Sequence, residues 1–307
     1  MSLIEKATQQ IQELKVEKDA LILAHNYQRA EVQLIADKLG DSLALAREAT
    51  KTDRGLIIFC GVDFMAESVK ILNPEKKVLI PDNTATCPLA NMVELKELVS
   101  LKHKYSDADV VGYVNTTAET KACSDICCTS ANSIEVVRSL SKQKIIFLPD
   151  QNLGRWTKKW VGGKEIILWP GYCYVHKELI SLGELQKLKT MHPNALVMAH
   201  PECNPEILEL ADKVTSTGGM VNFARESVAE EFVVATEQGL CSRLCRENPT
   251  KKFWEFPKAI CKDMKKITLG KVFECLKEER NEVRIEPEIL EKAKAPIERM
   301  MRITKMQ

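Results

Sequence analysis

Cysteine is the residue type that most constrains the chemistry of this 307-residue chain, which contains eleven of them. A reducing compartment disfavours structural disulfides, and an odd number of cysteines cannot pair completely, so metal or redox chemistry becomes a leading explanation. A single cysteine is nonetheless most often a small buried hydrophobe. We predict that role for Cys60, in the apolar run LIIFC, and for Cys275, on a predicted helix.

Three of the cysteines recur at regular intervals. Cys87, Cys173 and Cys261 are separated by 86 and 88 residues, and each lies in a loop that opens a predicted helix. A helix N-terminus favours negative charge and lowers the pKa of a thiol, which suits a thiolate ligand. None of the three has a C-x-x-C neighbour, so a local zinc knuckle is disfavoured. Three thiolates meeting on an axis fit three corners of a [4Fe–4S] cluster with one open iron; a zinc ion on the same thiolates is the alternative.

A second pattern of polar residues repeats about every 87 residues along the chain. In each copy an imidazole or a phenol is followed by an aspartate and then by a hydroxyl residue, always with the same spacing. The three sets are His25, Asp37 and Ser42; Tyr113, Asp125 and Ser130; and His200, Asp212 and Thr217. Markers that keep their register across three copies are hard to obtain by chance, so we infer three homologous units.

The loops that carry these markers offer a ring of polar side chains, which also includes Asn26 and Asn115. The three recurring hydroxyls are predicted to bind a carboxylate or phosphate at helix starts, with capping of those helices as the alternative. Tyr27 and Glu202, together with His25, supply the proton donors and acceptors that enolisation and dehydration require. His176, three residues after Cys173, is predicted to lie beside the metal group, with a place on a helix surface as the alternative.

Short apolar runs bounded by turn residues alternate with helical patterns, which is typical of βα units that form parallel sheets. The predicted strands are LILAH from residue 21, LIIFC from 56, KVLIP from 77, DVVGYV from 109, KIIFL from 144, EIILW from 165, ALVMAH from 195, KVTST from 213, EFVVAT from 231 and FWEF from 253. The marker residues are all predicted to follow strands, and the carboxyl edge of a parallel sheet is where α/β folds bind ligands.

We therefore predict an α/β fold of three homologous three-layer αβα units with short parallel sheets, arranged about a pseudo-threefold axis with a central active site. The predicted boundaries are 1–105 for the first unit with an N-terminal helix, 106–192 for the second, and 193–307 for the third with a C-terminal helical tail.

Bulk charge points to a small-molecule partner. The 44 basic and 43 acidic residues leave a formal charge of +1, so neither nucleic acid nor a membrane surface is expected as a partner. The opening segment MSLIEKATQQIQELKVEK has the pattern of an amphipathic helix and lacks the basic and apolar regions of a signal peptide. No apolar run approaches the roughly 18 residues of a membrane span, and we expect the protein in the cytoplasm.

The chain resembles the quinolinate synthase family over essentially its whole length. The strings that carry the resemblance are AHNYQ from residue 24, GDSLALA from 40, FCGVDFMAE from 59, LIPDNTATCPLANM from 79, GYVNTTAETKA from 112, LPDQNLG from 148, WPGYCYVH from 169, AHPEC from 199, TSTGGM from 215 and MKKITL from 264. The resemblance implies a transferase that condenses iminoaspartate with dihydroxyacetone phosphate to quinolinate in NAD biosynthesis, releasing phosphate and water. It also implies a functional link to an aspartate oxidase or aspartate dehydrogenase.

The resemblance also implies roles for individual residues. It makes Cys87, Cys173 and Cys261 the ligands of a [4Fe–4S] cluster whose open iron acts as a Lewis acid. The implied substrate-binding residues are His25, Ser42, Tyr113, Asn115, Ser130, His200, Glu202, Ser216 and Thr217, and the implied catalytic residues are Tyr27, His200, Glu202, His25 and Tyr113.

The chain departs from some bacterial members of that family at its third ligand. Those members have a C-x-x-C-x-x-C run there, whereas this chain has Glu255 and Lys258 at the corresponding positions, so that Cys261 stands alone. Two alternatives remain open at this point: another hydro-lyase that uses a [4Fe–4S] cluster, and a non-catalytic binding module stabilised by zinc.

Overall fold

Twelve strands and fifteen α-helices organise the computed structural model, which describes residues 3–303. The strands are β1 (Ala20–His25), β2 (Lys38–Gly40), β3 (Leu56–Cys60), β4 (Lys77–Leu79), β5 (Ala108–Tyr113), β6 (Ile126–Cys128), β7 (Lys144–Leu148), β8 (Glu165–Leu168), β9 (Leu196–Ala199), β10 (Lys213–Val214), β11 (Glu231–Ala235) and β12 (Lys252–Glu255). The helices are α1 (Leu3–Glu17), α2 (Ala30–Ile35), α3 (Ser42–Lys51), α4 (Asp63–Leu72), α5 (Leu95–Lys104), α6 (Ala118–Ala122), α7 (Ser133–Ser139), α8 (Gln151–Val161), α9 (Tyr174–Glu178), α10 (Leu182–Met191), α11 (Pro205–Glu209), α12 (Thr217–Glu226), α13 (Gly239–Glu247), α14 (Leu269–Glu278) and α15 (Pro287–Ile303).

The strands form three sheets with one shared topology. Their orders are β2-β1-β3-β4, β6-β5-β7-β8 and β10-β9-β11-β12, and all neighbouring strands are parallel. The predicted fold class of three homologous αβα units is confirmed, and the unit boundaries remain predictions.

Each sheet is buried on both faces, as parallel sheets require. In the first unit, alternate residues of β1 point to opposite sides. Leu21 and Leu23 belong to the cluster that includes residues of α3 and α4, whereas Ile22 packs with Ile11 of α1 and Val32 of α2. This alternation produces the three layers.

The sequence analysis did not predict two of the edge strands, β2 and β6, which contain three residues each. The prediction that the recurring aspartates follow strands was also wrong, since these residues precede β2, β6 and β10. Each accepts a hydrogen bond of 2.8 Å from a backbone N–H of the central strand of its sheet, and thereby holds the edge segment in place. The pairs are Asp37 with Ile22, Asp125 with Val110, and Asp212 with Val197.

The units exchange helices in a cycle. The helix that follows the last strand of one sheet packs on the next sheet: Leu98 of α5 lies among residues of β5 and β7, and Leu185 of α10 lies among residues of β9 and β11. The third such helix, α14, returns to the first sheet, where Leu276 joins residues of β1 and β3. Each cysteine loop lies between the last strand of one sheet and the helix that packs on the next sheet.

The remaining helix, α15, covers the second unit at its edge, where Arg299 donates to the carbonyl of Asp125 at 2.7 Å. The predicted C-terminal helical segment is thus present. None of the helices within residues 3–303 combines the length and the apolar character that crossing a membrane requires.

The cyclic arrangement makes the packing of α14 essential to the first unit. Leu276 is fully buried, so Leu276→Ala leaves a cavity, and we expect it to lower the free energy of unfolding by about 2–5 kcal/mol. Lys277→Ala, at the neighbouring exposed position, is the control and should change it by no more than about 0.5 kcal/mol. Denaturant unfolding measures both, and equal effects would contradict the proposed closure of the cycle through α14.

Candidate functional site

The carboxyl ends of the three sheets surround a polar cavity of about 370 Å³, called here the polar cavity. Residues of all three units line it. They are His25, Tyr27, Asp41, Ser42, Leu43, Met65, Tyr113, Asn115, Thr129, Ser130, His200, Glu202 and Thr217. Every substrate-binding and catalytic residue predicted from the sequence belongs to this lining except Ser216, and their roles remain predictions.

The helices α3 and α12 begin at the polar cavity, and each is capped by the residue just before the recurring hydroxyl residue. Asp41 accepts a hydrogen bond from the backbone N–H of Ala44 at 2.9 Å and caps α3. Ser216 accepts one from Gly219 at 3.2 Å and caps α12. The alternative role of helix capping is therefore wrong for Ser42 and Thr217, which follow these caps and face the cavity.

The hydroxyls of Ser130 and Thr217 are held by side chains from other units. Asn26 donates an amide N–H to the Thr217 oxygen at 2.9 Å, and Arg243 donates to the Asn26 carbonyl at 2.7 Å. The Thr217 oxygen is the acceptor in its contact with Asn26. The hydroxyl proton of Thr217 therefore remains available for donation to a ligand in the cavity. Ser130 lies 3.2 Å from Nε2 of His200.

His25 and His200 adopt the same local turn in the first and third units. Nδ1 of each accepts from the backbone N–H two residues later, at 3.2 Å from Tyr27 and at 3.4 Å from Glu202. Burial is the main cause that lowers the pKa of both imidazoles to about 3. Both rings are therefore neutral near pH 7 and carry the proton on Nε2.

Glu202 is the buried anion at the centre of the site. One of its oxygens lies 2.7 Å from Nδ1 of His176 and 3.6 Å from Nδ1 of His200, and the other accepts from the amide of Asn115 at 3.4 Å. Despite this short distance, the contact lacks the geometry of a directed hydrogen bond, and Nδ1 of His176 has no hydrogen-bond partner within the described chain. Burial acts to raise the pKa of Glu202, but the two histidines outweigh it and lower the pKa to about 2.

Tyr27 connects this anion to a second cavity. Its hydroxyl lies 2.6 Å from the Thr236 hydroxyl, which lies 2.9 Å from Nε2 of His176. Burial and the nearby Glu202 carboxylate raise the pKa of the Tyr27 phenol well above its usual value. The prediction for His176 is confirmed in its location, since the ring is buried beside the cysteine loop and does not lie on a helix surface.

The three predicted ligand cysteines line this second cavity, which measures about 430 Å³ and is called here the cysteine cavity. It shares Tyr27, Met65, Asn115 and Glu202 with the polar cavity. Each cysteine sulfur accepts a hydrogen bond from the backbone N–H three residues later, from Ala90, His176 and Met264 respectively. The sequence thus correctly placed three distant cysteines at one point.

The expectation that helix starts lower the pKa of the ligand thiols was wrong. The three cysteines are partly exposed, but desolvation of the thiols outweighs the helix starts and raises the pKa of all three, that of Cys261 to about 11. A metal that binds here would replace these protons. Cys60 and Cys275 are fully buried in the apolar core, as predicted.

Three cysteine thiols line the cysteine cavity, and iron–sulfur clusters are held by cysteine thiolates, so the donor chemistry fits such a group. Among the described residues, a compact donor set comprises Cys173, His176 and Glu202, whose ligand atoms all lie within 4.8 Å of one another. Cys173 therefore belongs to both sets of possible metal ligands.

Sequence reasoning missed several residues around the two cavities. Asp41 and Thr129 are the residues just before Ser42 and Ser130, so the same repeat pattern would have found them. Thr236 and Met65 show no signal of their own in the sequence. Glu237 lines the cysteine cavity. The alignment of the second strand type places Asp150 at the equivalent position and Asp63 one residue later in the first repeat, so the sequence contained a signal for this acid.

Comparison with known proteins gives one consistent result. Residues 9–302 match the family described as quinolinate synthetase A protein. A quinolinate synthase of Pyrococcus furiosus is 50% identical, covering 99% of this chain and 100% of its own length. The quinolinate synthase of Alkaliphilus metalliredigens is 49% identical over 96% of this chain and 97% of its own, and that of Aquifex aeolicus is 48% identical over 98% and 95%. With a full-length match and nearly half of its residues in common with these relatives, the chain belongs to the quinolinate synthetase A family.

Proposed function

We propose that this protein is a quinolinate synthase, which condenses iminoaspartate with dihydroxyacetone phosphate to quinolinate with loss of phosphate and water, in NAD biosynthesis. The observation that carries the proposal is the shared wall between the two cavities. Tyr27, Asn115 and Glu202 contact both the polar cavity and the cysteine cavity. A substrate in the first therefore lies next to a metal group in the second, with the acid–base residues between them.

The three cysteines of the cysteine cavity are the proposed ligands of a [4Fe–4S] cluster. When bound, the cluster supplies an open iron that acts as a Lewis acid toward a substrate oxygen or nitrogen. Cys87, Cys173 and Cys261 occupy three coordination positions in this proposal, and no fourth cysteine lines the cavity among the described residues.

In this proposal, no positively charged side chain of the polar cavity binds the substrate anions. Within the described part of the chain, no Lys or Arg lines the polar cavity. Recognition would therefore depend on hydroxyls and on backbone N–H groups at the starts of α3 and α12, which favour negative charge. Ser42, Ser130 and Thr217 supply the hydroxyls, and neutral His25 supplies an Nε2–H. Ser216 orients α12 by capping it and donates to Asp41 at 3.3 Å.

Proton transfer is assigned to the chain of contacts that begins at Tyr27. The Tyr27 hydroxyl donates to Thr236, Thr236 donates to Nε2 of His176, and Nδ1 of His176 faces the Glu202 carboxylate. A proton lost or gained by the substrate at Tyr27 can be balanced along this path, because Glu202 stabilises positive charge on His176. Tyr113, which contacts Glu202 and has a raised pKa because of burial, and neutral His200 complete the proposed catalytic group.

One observation favours a second candidate. The compact set of Cys173, His176 and Glu202 has donor types that zinc accepts, which suits a zinc-stabilised module. Anaerobic purification followed by metal and sulfide analysis separates the two. A brown protein with iron and sulfide in equal amounts supports our proposal, and a colourless protein with zinc and no sulfide supports the alternative.

Activity is tested by incubating the brown protein with iminoaspartate and dihydroxyacetone phosphate and measuring quinolinate by chromatography. We expect Cys87→Ala to lose both the colour and the formation of quinolinate, because one of three ligands is removed. Cys245→Ala, at an exposed position of α13 outside both cavities, should keep both. A brown wild-type protein that forms no quinolinate would reject the assignment in favour of another cluster-dependent hydro-lyase.

Removal of the Tyr27 hydroxyl separates catalysis from metal binding. We expect Tyr27→Phe to retain iron and sulfide and to lower kcat by about 10²–10⁴, the usual contribution of a general acid or base. Tyr105→Phe, at a tyrosine that lines neither cavity, is the matched control. A normal kcat for Tyr27→Phe would remove this residue from the mechanism.

Removal of the Ser42 hydroxyl tests anion binding. A hydrogen bond to a charged group contributes about 1.5–3 kcal/mol, so Ser42→Ala should raise the KM of one of the two substrates by roughly 10-fold or more. Ser100→Ala, at an exposed position of α5, should leave both KM values unchanged. Steady-state kinetics with each substrate varied in turn measures the effect, and unchanged KM values for Ser42→Ala would place the anions elsewhere.

A further inference from the structure

Buried carboxylates hold the backbone of two predicted ligand cysteines. Cys173 donates its N–H to Oδ2 of Asp150 at 3.1 Å, and Cys261 donates its N–H to Oε1 of Glu237 at 3.1 Å. Both carboxylates are completely inaccessible to solvent. Burial of a carboxylate is costly unless its oxygens are paired, so its presence beside two ligand cysteines requires an explanation.

The second oxygen of each carboxylate holds the start of a helix. Oδ1 of Asp150 accepts from the N–H groups of Asn152 at 2.9 Å and Leu153 at 2.8 Å, where α8 begins. Oε2 of Glu237 accepts from Gly239 at 2.7 Å, where α13 begins. Each carboxylate therefore joins the helix after one strand to the cysteine loop after the next strand.

The first unit differs at the equivalent position. In the repeat alignment Val62 corresponds to Asp150 and Glu237, and Asp63, one residue later, accepts from the N–H of Phe64 at 2.8 Å. Asp63 lies near the N–H of Cys87, but the direct hydrogen bond from a cysteine N–H to a carboxylate belongs to the second and third units.

We propose that Asp150 and Glu237 are positioning residues for the metal group, each fixing the loop from which one cysteine sulfur reaches the cluster. The inference rests on the proposed cluster and adds to it the residues that pre-organise the ligands. Outer residues of this kind typically contribute about 10–100-fold to metal retention. Glu237 also pairs with Lys265 at 2.9 Å, so Asp150 offers the cleaner test.

Helix capping alone is the competing explanation, and Asp150→Asn distinguishes the two. Asparagine keeps Oδ1 as the acceptor for the start of α8 and places an NH₂ group opposite the N–H of Cys173. The cap survives and the contact with the cysteine becomes repulsive. The matched control is Asp125→Asn in the same unit, where the carboxylate accepts one N–H, from Val110 at 2.8 Å, outside both cavities.

The experiment uses the full chain, anaerobically reconstituted with iron and sulfide, and follows the loss of iron to a chelator by the decay of the cluster absorbance. The wild-type protein is measured first, and failure to hold a cluster would reject the proposed function rather than the positioning role. With a stable wild-type cluster, we expect Asp150→Asn to lose iron about 10-fold faster or more, and Asp125→Asn to match the wild type.

Two results would overturn the inference. One is iron loss from Asp150→Asn at the wild-type rate, and the other is equal acceleration in Asp150→Asn and Asp125→Asn, which would reflect general destabilisation. Circular dichroism of the unloaded proteins verifies that each variant folds. Should Asp150→Asn not fold, Glu237→Gln decides the question by the same measurement, with loss of iron at the wild-type rate again counting against the inference.

Discussion

Convergence of three parallel sheets is the constraint on which the rest of this structure depends. A parallel strand exposes its functional loop at its carboxyl end, and here three copies of one sheet point those ends at a common centre. Cysteines that are more than eighty residues apart thereby line one cavity. The polar residues of the same loops line the neighbouring cavity. Neither set could be assembled by one unit alone.

The three repeats share one sheet topology but contribute different functional side chains to the site. The equivalent positions His25, Tyr113 and His200 supply two neutral imidazoles and a phenol, all facing one polar cavity. Only the third unit adds the buried anion Glu202, and His176 from the second unit contacts it at 2.7 Å. A scaffold repeated three times therefore holds an asymmetric site.

The fold and much of the site could be predicted because repetition makes weak signals reinforce each other. The cysteine triplet and the recurring hydroxyls were visible as fixed intervals, whereas a single copy would have been ambiguous. The short edge strands β2 and β6 were not predicted, because it is their pairing with β1 and β5 in the folded chain that defines them. Thr236 was missed for another reason: its contact with His176 joins residues 60 positions apart, and only packing brings them together. The effect of burial on the cysteine thiols likewise depends on tertiary structure that local sequence does not contain.

The exchange of helices between units has a consequence for biosynthesis. A chain leaves the ribosome from its N-terminus, and domains that are complete can fold as they emerge. The first sheet is not complete in this sense, because the helix that covers one of its faces lies at Leu269–Glu278. That sheet remains partly uncovered until Glu278 has been synthesised. Cys261 emerges shortly before this helix, so completion of the cysteine cavity and closure of the ring of units become late events that occur together.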